Sequence, residues 1–210
     1  MEKIILILGA GGHAKVVADC ALASGEWQKV AFLDDRYPDL KQIGNWPVIG
    51  KVSDIELFVN QYSHMALGVG ANHEDLRLQW LKRGINAGAK FPVVIHAKSI
   101  VSPYANIGDG TVVLAGAIVN VDAKVGKASI LNTSCSIDHD CVIGDGSHIS
   151  PRAALAGGVI VGEKSWIGMG ANVIQGVKIG SNVIVGAGSL VLKNIDSGSK
   201  VVGVPARSIN

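Results

Sequence analysis

A histidine followed by an acid is the most chemically suggestive feature of the sequence. His139 precedes Asp140 directly, and His148 follows nine residues after His139. An imidazole with a reference pKa of ~6.5 can take a proton from an attacking amine or hydroxyl near neutral pH. An adjacent carboxylate can orient the ring and strengthen it as a base. The pair predicts general-base catalysis such as acyl transfer, while an ordinary exposed histidine would give the same pattern.

Cysteine chemistry and metal binding are not indicated. Cys20, Cys135 and Cys141 form no CxxC pair, so neither a disulfide framework nor a zinc knuckle is predicted, which fits a reducing compartment. Apart from His96 at its start, the part of the chain around His139 and His148 holds no third histidine, and we expect no metal. Because no cysteine occupies a plausible nucleophile position, we expect direct transfer without an acyl-enzyme.

A six-residue repeat must position the two histidines. From residue 95 to residue 191 every sixth position is Ile, Val or Leu, and the residue two before it is usually small. Residues two apart on a strand point to the same side, so a branched and a small side chain alternate inward. Three six-residue sides close one coil of 18 residues, and coils stack about 4.8 Å apart. The pattern predicts a parallel β-helix with no long loop.

The phase of the repeat gives each candidate residue a place. Ile137 points inward, so His139 falls at a corner of the coil. One coil further on, Gly157 stacks on His139, where its N–H could bind an oxyanion and its missing side chain leaves room for a ligand. His148 directly precedes the inward Ile149, so it is predicted to point outward from a flat side, at the surface or at a subunit interface.

Residues 1–90 lack the six-residue phase and alternate apolar strands with helices, which predicts a small parallel sheet. Predicted strands cover residues 3–8, 30–33 and 64–69, and predicted helices cover residues 14–24, 53–60 and 72–83. We expect the last helix to have Asn72 as its cap and Gly84 as its stop. The predicted domains are therefore an α/β domain over residues 1–90 and a β-helix over residues 91–210.

A glycine-rich turn, GAGGHA at residues 9–14, follows the first strand. Such a turn lets backbone N–H groups approach a phosphate. Ala14 stands where G-x-G-x-x-G has its third glycine, so a full dinucleotide site is not predicted, and a merely tight turn is the alternative. Asp34 and Asp35 follow the second strand, where a carboxylate often meets a ribose or base, although a solvated turn is the alternative there too.

Composition excludes some partners. The formal net charge is +2 and no basic run stands out, so nucleic acid is not expected as a partner. The apolar stretch Ile4 to Leu8 is too short for a secretory signal, and no apolar run approaches the ~18 residues of a membrane span. The sequence therefore predicts a soluble, cytoplasmic protein.

The run ILNTSCSIDHDCVIGDGSHIS, residues 130–150, resembles the hexapeptide-repeat nucleotide-sugar acetyltransferases of the bacillosamine, perosamine and sialic-acid type. GAGGHAKVV, FLDD, ALGVGAN and VVGVPAR extend the resemblance over almost the whole chain. It implies a left-handed parallel β-helix preceded by a small α/β Rossmann-like domain. It also implies a homotrimer with active sites between subunits, and acetyl-CoA as co-substrate without a metal.

The resemblance implies roles for matching residues. His139 would be the general base and Asp140 its support, next to the oxyanion position at Gly157. The residues implied to contact acetyl-CoA are His148, Met169 and Ala187. The residues implied to hold the nucleotide sugar are Gly11, Gly12, His13, Asp34, Asp35 and Gly70, with Asn132 in the same motif as His139 and its role open.

The implied activity is acetyl-CoA-dependent N-acetylation of a nucleotide-linked amino-deoxy sugar for bacterial glycan or glycoprotein biosynthesis. A UDP-4-amino-4,6-dideoxy-N-acetylglucosamine type of acceptor is favoured, with GDP and dTDP sugars as alternatives. Three rival hypotheses are O-acetylation of a sialic-acid-like sugar, a non-catalytic β-helix that binds a nucleotide sugar, and a metal-dependent lyase. The intact pair of His139 and Asp140 argues against the non-catalytic alternative.

Overall fold

A computed structural model describes residues 3–209 of the chain. The chain divides into two compact units, Met1–Ala97 and Lys98–Asn210. The first unit is an α/β unit and the second consists of short stacked strands.

The α/β unit is built on a five-stranded sheet with strand order β3-β4-β2-β1-β5. Its strands are β1 (Ile4–Leu8), β2 (Lys29–Leu33), β3 (Gln42–Ile43), β4 (Trp46–Gly50) and β5 (Met65–Leu67). Strands β4, β2, β1 and β5 run parallel, as the alternating pattern predicts. Strand β3 instead pairs antiparallel with β4, in a hairpin that the apolar pattern does not reveal because its first strand is only two residues long.

The helices of the α/β unit correct three expectations. They are α1 (Gly12–Ala23), a 3₁₀ turn (Val52–Asp54), α2 (Ile55–Phe58) and α3 (Glu74–Asn86), and strand β6 (Val94–Ile95) follows. The helix predicted over residues 53–60 is therefore only a short turn and one helical turn. Gly84 does not stop α3 but lies inside it. A Cβ there would come within 2.5 Å of the Phe91 ring, which explains why this position is a glycine. His73, not Asn72, occupies the N-cap position of α3.

Between Ile100 and Val191 the second unit contains sixteen two-residue strands, and each begins six residues after the start of the strand before it. They are β7 (Ile100–Val101), β8 (Asn106–Ile107), β9 (Val112–Val113), β10 (Ile118–Val119), β11 (Lys124–Val125), β12 (Ile130–Leu131), β13 (Ser136–Ile137), β14 (Val142–Ile143), β15 (His148–Ile149), β16 (Ala154–Leu155), β17 (Ile160–Val161), β18 (Trp166–Ile167), β19 (Asn172–Val173), β20 (Lys178–Ile179), β21 (Ile184–Val185) and β22 (Leu190–Val191). Every strand ends on a position that the repeat assigns to the interior, so the predicted phase is confirmed.

The strands stack with the predicted separation. Ser136 pairs with Ile118 on one side and with Ala154 on the other, and all these pairings are parallel. Face 1 has the order β22-β19-β16-β13-β10-β7, face 2 the order β20-β17-β14-β11-β8, and face 3 includes β21-β18-β15-β12-β9. Strands β23 (Lys200–Val202) and β24 (Arg207–Ser208) form an antiparallel pair that continues face 3.

The interior of the coils is filled as the alternation predicts. Ile137 and Ile149 have no exposed surface, and Cys135 and Cys141 fill small inward positions. Small polar residues in the same kind of position are buried but satisfied: the hydroxyl of Ser147 donates to the Gly162 carbonyl at 2.9 Å. A buried hydroxyl with an acceptor avoids the cost of an unpaired polar group.

Corners between faces require a left-handed backbone. Asp140 has φ of 60°, and Ser134 and Arg152 hold the same conformation at other corners. Asp tolerates this region better than most residues because its short side chain can hydrogen-bond locally. Asp140 therefore fits the backbone of the turn as well as any role beside His139.

Candidate active site

The corner after β13 presents an exposed histidine–aspartate pair. The side chains of His139 and Asp140 are 57% and 66% exposed. The Nδ1 atom of His139 lies 2.7 Å from Oδ2 of Asp140. A carboxylate only accepts hydrogen bonds at neutral pH, so the imidazole proton belongs on Nδ1 and the lone pair on Nε2.

Two carboxylates stabilise the protonated form of this imidazole. The pKa of His139 is raised above its usual value, first by the hydrogen bond to Asp140 and then by the charge of Asp138. A higher pKa makes the ring a stronger base once it is neutral. The arrangement can therefore accept a proton at Nε2 and hold the resulting charge.

Gly157 lies against the free nitrogen of His139. A Cβ built on Gly157 would come within 2.5 Å of Nε2 and 2.6 Å of Cε1, so a side chain there would displace the imidazole. The N–H of Gly158 donates to the carbonyl of His139 at 2.9 Å, which ties the two corners together. Within residues 3–209, the Gly157 N–H donates to no backbone carbonyl. The predicted stacking of the two residues is confirmed, but the imidazole, and not room for a ligand, takes the space that the missing side chain leaves.

His148 is buried within the chain, which corrects the alternative of a histidine at the surface, while its placement at a subunit interface stays a prediction. The residue is 6% exposed although it stands at an outward position of face 3. Its ring is parallel to that of Trp166 one coil further on, with centroids 6.1 Å apart and 1° between the planes. The outward aromatic pair therefore packs instead of lying open on a flat side.

Asn132 fixes the tautomer of His148. The amide oxygen of Asn132 accepts the Thr133 N–H at 2.8 Å, which leaves the amide nitrogen, Nδ2, facing Nε2 of His148 at 3.0 Å. Because Nδ2 can only donate, Nε2 is the acceptor and the ring proton belongs on Nδ1. The structure thus brings together His148, which the resemblance assigns to acetyl-CoA, and Asn132, whose role the sequence left open.

Met169 and Ala187 share a second edge of the coil stack. The Gly188 N–H donates to the carbonyl of Met169 at 2.8 Å, and the Gly170 N–H donates to the carbonyl of Pro151 at 2.9 Å. This Met169 edge joins faces 3 and 1, whereas the His139 edge joins faces 1 and 2. Within one chain, the predicted base and the predicted coenzyme positions therefore lie on opposite sides of face 1.

The α/β unit brings another set of predicted residues together. Gly11 and Gly12 begin α1 after β1, and a Cβ on either would meet nothing within 4 Å. Gly70 follows β5, and a Cβ on it would lie 3.3 Å from the Cβ of His13. Since β1 and β5 are neighbours, these residues gather at the carboxyl ends of the strands where the strand order reverses.

Arg77 is a buried residue of this region that the sequence analysis missed. It is 1% exposed, and its Nη1 donates to the Gly70 carbonyl at 2.7 Å. The pKa of His13 is lowered to about 4, first by burial and then by the charge of Arg77, so His13 is neutral at physiological pH. A signal was present, because Arg77 falls on the same helical stripe as the buried Leu81 and Gly84 of α3.

Asp34 and Asp35 hold the loops of the α/β unit in place. Asp34 accepts the Ala10 N–H at 2.8 Å and forms an ion pair with Arg36, whose Nε lies 2.7 Å from Oδ1. The hydrogen bond to Arg36 is the main reason that the pKa of Asp34 lies below its usual value. Asp35 accepts the Ser53 N–H at 3.0 Å. Both carboxylates therefore make contacts within the protein, beside the glycine-rich turn in the case of Asp34.

The part of the chain that the structure describes contains neither a candidate metal site nor a candidate membrane-spanning helix. Residues 3–209 hold no group of three or more His, Cys, Asp or Glu side chains arranged to bind a metal ion. None of the helices among the same residues has the length and apolarity needed to cross a membrane.

Two protein families match separate parts of the chain. Residues 4–83 match the PglD N-terminal domain, and residues 158–193 match the bacterial transferase hexapeptide family (six repeats). The UDP-N-acetylbacillosamine N-acetyltransferase of Bacillus subtilis (strain 168) is 36% identical over 113 residues, which are 54% of this chain and 52% of that protein. This alignment thus spans about half the length of the curated relative.

Two solved structures match over nearly the entire chain. The acetyltransferase domain of PglB from Neisseria gonorrhoeae FA1090, in complex with acetyl coenzyme A, is 37% identical with a TM-score of 0.94 and covers 100% of both chains. PerB from Caulobacter crescentus, in complex with CoA and GDP-perosamine, is 37% identical with a TM-score of 0.91 and covers 98% of this chain and 97% of its own.

An α/β unit followed by a left-handed parallel β-helix, with a histidine–aspartate pair at a coil corner, defines an acyltransferase of the hexapeptide-repeat class. A sequence identity of 37% with both solved structures, over 100% and 98% of this chain, narrows the class further. The chain belongs to the family of nucleotide-sugar N-acetyltransferases that includes the PglB acetyltransferase domain and PerB.

Proposed function

We propose that this protein transfers the acetyl group of acetyl-CoA to the amino group of a UDP-linked 4-amino-4,6-dideoxy-N-acetylglucosamine type of sugar, for bacterial glycan or glycoprotein biosynthesis. The observation that carries the proposal is the corner in which Asp140 binds Nδ1 of His139 while Nε2 faces Gly157. The relative from Bacillus subtilis supports UDP as the nucleotide and the bacillosamine type of sugar as the acceptor.

The geometry suggests a direct transfer. The amine attacks the thioester carbonyl and forms the new C–N bond, while Nε2 of His139 takes a proton from that nitrogen. The Gly157 N–H would stabilise the oxyanion of the tetrahedral intermediate. Collapse then breaks the C–S bond, and the thiolate of coenzyme A takes the proton from the imidazolium. Asp140 keeps the ring in the required tautomer throughout.

The separation of the two edges favours a homotrimer with active sites between subunits. His139 lies on one edge of face 1, and Met169 and Ala187 lie on the other. If two subunits pack edge to edge, the His139 edge of one faces the Met169 edge of the next. Asn132 and His148, close to the Met169 edge, would then contact acetyl-CoA from the second subunit.

We assign the nucleotide sugar to the α/β unit. Gly11 and Gly12 leave the N-terminal turn of α1 uncovered, and helix N–H groups bind phosphate oxygens well. His13 is held neutral next to Gly70, so it can exchange hydrogen bonds with a base or sugar without carrying charge. Asp34 and Asp35 would act at this site partly by fixing the turns that surround the ligand.

We place the reaction in the cytoplasm. Cys20, Cys135 and Cys141 are buried thiols that form no disulfide among the described residues, which suits a reducing compartment. The proposed site needs none of them, since direct transfer requires no thiol from the protein.

Replacement of His139 by alanine tests the proposal. We expect kcat to fall by about 10²–10⁴ while the oligomer persists, because only the proton acceptor is lost. Turnover of acetyl-CoA with a UDP-4-amino sugar, measured with the oligomer size by light scattering, checks this expectation. His64→Ala is the matched control, because His64 lies just before β5, away from the proposed site, and should leave turnover unchanged.

The acceptor is tested with a small panel of sugar nucleotides. UDP-, GDP- and dTDP-linked 4-amino sugars, together with a 4-hydroxy analogue, would be compared by mass spectrometry of the products. We expect the UDP-4-amino sugar to be acetylated fastest. Faster acetylation of the hydroxy analogue would contradict N-acetylation and support O-acetylation as the activity. For the preceding experiment, near-normal turnover of His139→Ala would show that His139 is not the base.

A further inference from the structure

The residue before the proposed base also bonds to the corner that carries it. The carboxylate oxygen Oδ1 of Asp138 accepts the backbone N–H of His139 at 2.8 Å. The same oxygen accepts a hydrogen bond from Nδ2 of Asn120 at 2.9 Å. Asn120 stands one coil below Asp138, so the contact joins two successive coils of the stack.

This arrangement fixes the backbone where the chain leaves face 1. A side-chain oxygen that binds the next N–H holds the peptide between Asp138 and His139 in a single orientation. The Asp138 N–H meanwhile donates to the carbonyl of Leu155 at 3.0 Å, on the coil above. The start of the turn is thus held from both neighbouring coils, and the direction of the imidazole depends on it.

The carboxylate of Asp138 also keeps a negative charge close to the imidazole. Its pKa is lowered, first by the N–H of His139 and then by the amide of Asn120. His139 in turn feels this charge as the second largest cause of its raised pKa. Asp138 lines an open groove on face 1 with Asn120 and Ala156, so water screens the interaction, and the expected effect is moderate.

We propose that Asp138 is a positioning residue for the base: held by Asn120, its carboxylate fixes the backbone of His139 and adds a negative charge beside the ring. The inference rests on the proposed function, in which His139 is the base. Asp140 and Asp138 then divide the work, since Asp140 orients the ring through Nδ1 and Asp138 orients the backbone that carries it.

Other charged groups near this corner are few. The turn itself carries Asp138 and Asp140, and the coil below carries Asp122 at the position under Asp140 and Lys124 at the position under Val142. The corner of the coil above carries Gly157 and Gly158, which are uncharged. A shift in the titration of His139 after a change at Asp138 can therefore be assigned to Asp138 while the other two carboxylates stay in place.

Two variants separate charge from hydrogen bonding. Asp138→Asn keeps an oxygen that can accept the His139 N–H but removes the charge, and Asp138→Ala removes both. Asp145→Asn is the matched control, because Oδ1 of Asp145 accepts the Lys127 N–H at 2.7 Å at a different corner. The imidazole titration of His139 is followed by NMR in the full chain without substrate, and kcat/KM is measured from pH 6 to pH 8.

In Asp138→Asn we expect the titration of His139 to move to lower pH, because a neighbouring negative charge raises the pKa of an imidazole. The acid limb of kcat/KM should move the same way, so that the ratio of variant to wild-type activity is about twofold higher at pH 6 than at pH 8. Asp138→Ala should add a loss of roughly tenfold at every pH, because the base is misaligned. Asp145→Asn should match the wild type in both measurements.

Two results would overturn the inference. One is a His139 titration in Asp138→Asn that coincides with the wild type. The other is a kcat/KM that falls by one constant factor at all pH values in that variant, which indicates a merely structural effect or direct contact with the sugar. Failure of the proposed function is seen separately, as near-normal turnover of His139→Ala, because the NMR titration needs no turnover.

Discussion

The β-helix and the α/β unit position their candidate site residues by different means. In the β-helix, His139 and Gly157 meet because residues 18 positions apart always stack, as Asn120 and Asp138 also do. In the α/β unit, His13 and Gly70 meet only because β1 and β5 are neighbours in the sheet. In the repeat, the number of residues between two positions determines whether they are in contact. In the open sheet, the order of the strands determines it.

The glycines of the two units show what this difference means for function. Gly157 has no room for a side chain, because the imidazole of His139 fills the space. Gly11 has open space around it, so packing within the chain does not require a glycine there. The first glycine is constrained by the protein itself, and the second is what the proposed ligand at this turn would require.

Among the variants that test this comparison, the largest effect is expected at Gly157. In Gly157→Ala the new methyl would contact Nε2 of His139, and we expect kcat to fall roughly 100-fold because the base is displaced from its working position. The thermal midpoint should change little, because the exposed imidazole can swing away. Gly158→Ala is the control. Its Cβ meets nothing within 4 Å, so turnover should be retained, whereas its φ of 68° is unfavourable for alanine and should lower the stability of the fold.

A normal kcat in Gly157→Ala would show that His139 can act from another orientation. The stacking of Gly157 on His139 would then not be needed for catalysis.

A smaller effect is expected at Arg77 in the α/β unit. Arg77→Met removes the hydrogen bond to the Gly70 carbonyl, and we expect KM for the nucleotide sugar to rise about tenfold with kcat nearly unchanged. The titration of His13 should move to higher pH, because the charge of Arg77 helps to lower its pKa. Arg83→Met on the same helix is the control, since Arg83 forms an exposed ion pair with Glu56.

Equal changes in KM for Arg77→Met and Arg83→Met would contradict a specific role of the buried arginine. Steady-state kinetics and NMR of His13 give the two readouts independently.

The smallest effect is expected at Gly11. Gly11→Ala should leave the thermal midpoint nearly unchanged and raise KM for the nucleotide sugar about threefold, because the methyl would stand between the backbone and a phosphate. Calorimetric titration with the nucleotide sugar and a thermal melt check the two parts. Gly68→Ala provides the contrast, because its Cβ would lie 2.7 Å from the Gly9 carbonyl oxygen and destabilise the fold.

An unchanged affinity in Gly11→Ala would mean that no ligand approaches this turn closely. The open glycine would then have no explanation in binding, and the contrast with Gly157 would lose its second half.

The sequence by itself determined the architecture of the β-helix and the neighbours of His139. The repeat period gave the inward positions, the stacking distance and the corner that holds the proposed base, because each of these depends only on residue number and strand geometry. The same rule pairs Asn120 with Asp138, although only the structure shows that their side chains bond.

The tertiary structure alone decided the features that depend on how side chains pack. The burial of His148 beside Trp166, the hairpin of β3 and β4, and the glycine inside α3 all depend on packing that the apolar pattern does not record. The buried charge of Arg77 belongs to the same group, because its partner, the Gly70 carbonyl, lies in the loop after β5 and not on α3 itself. Periodicity gives the position of each residue in its strand or helix, but tertiary packing decides which groups cover its side chain.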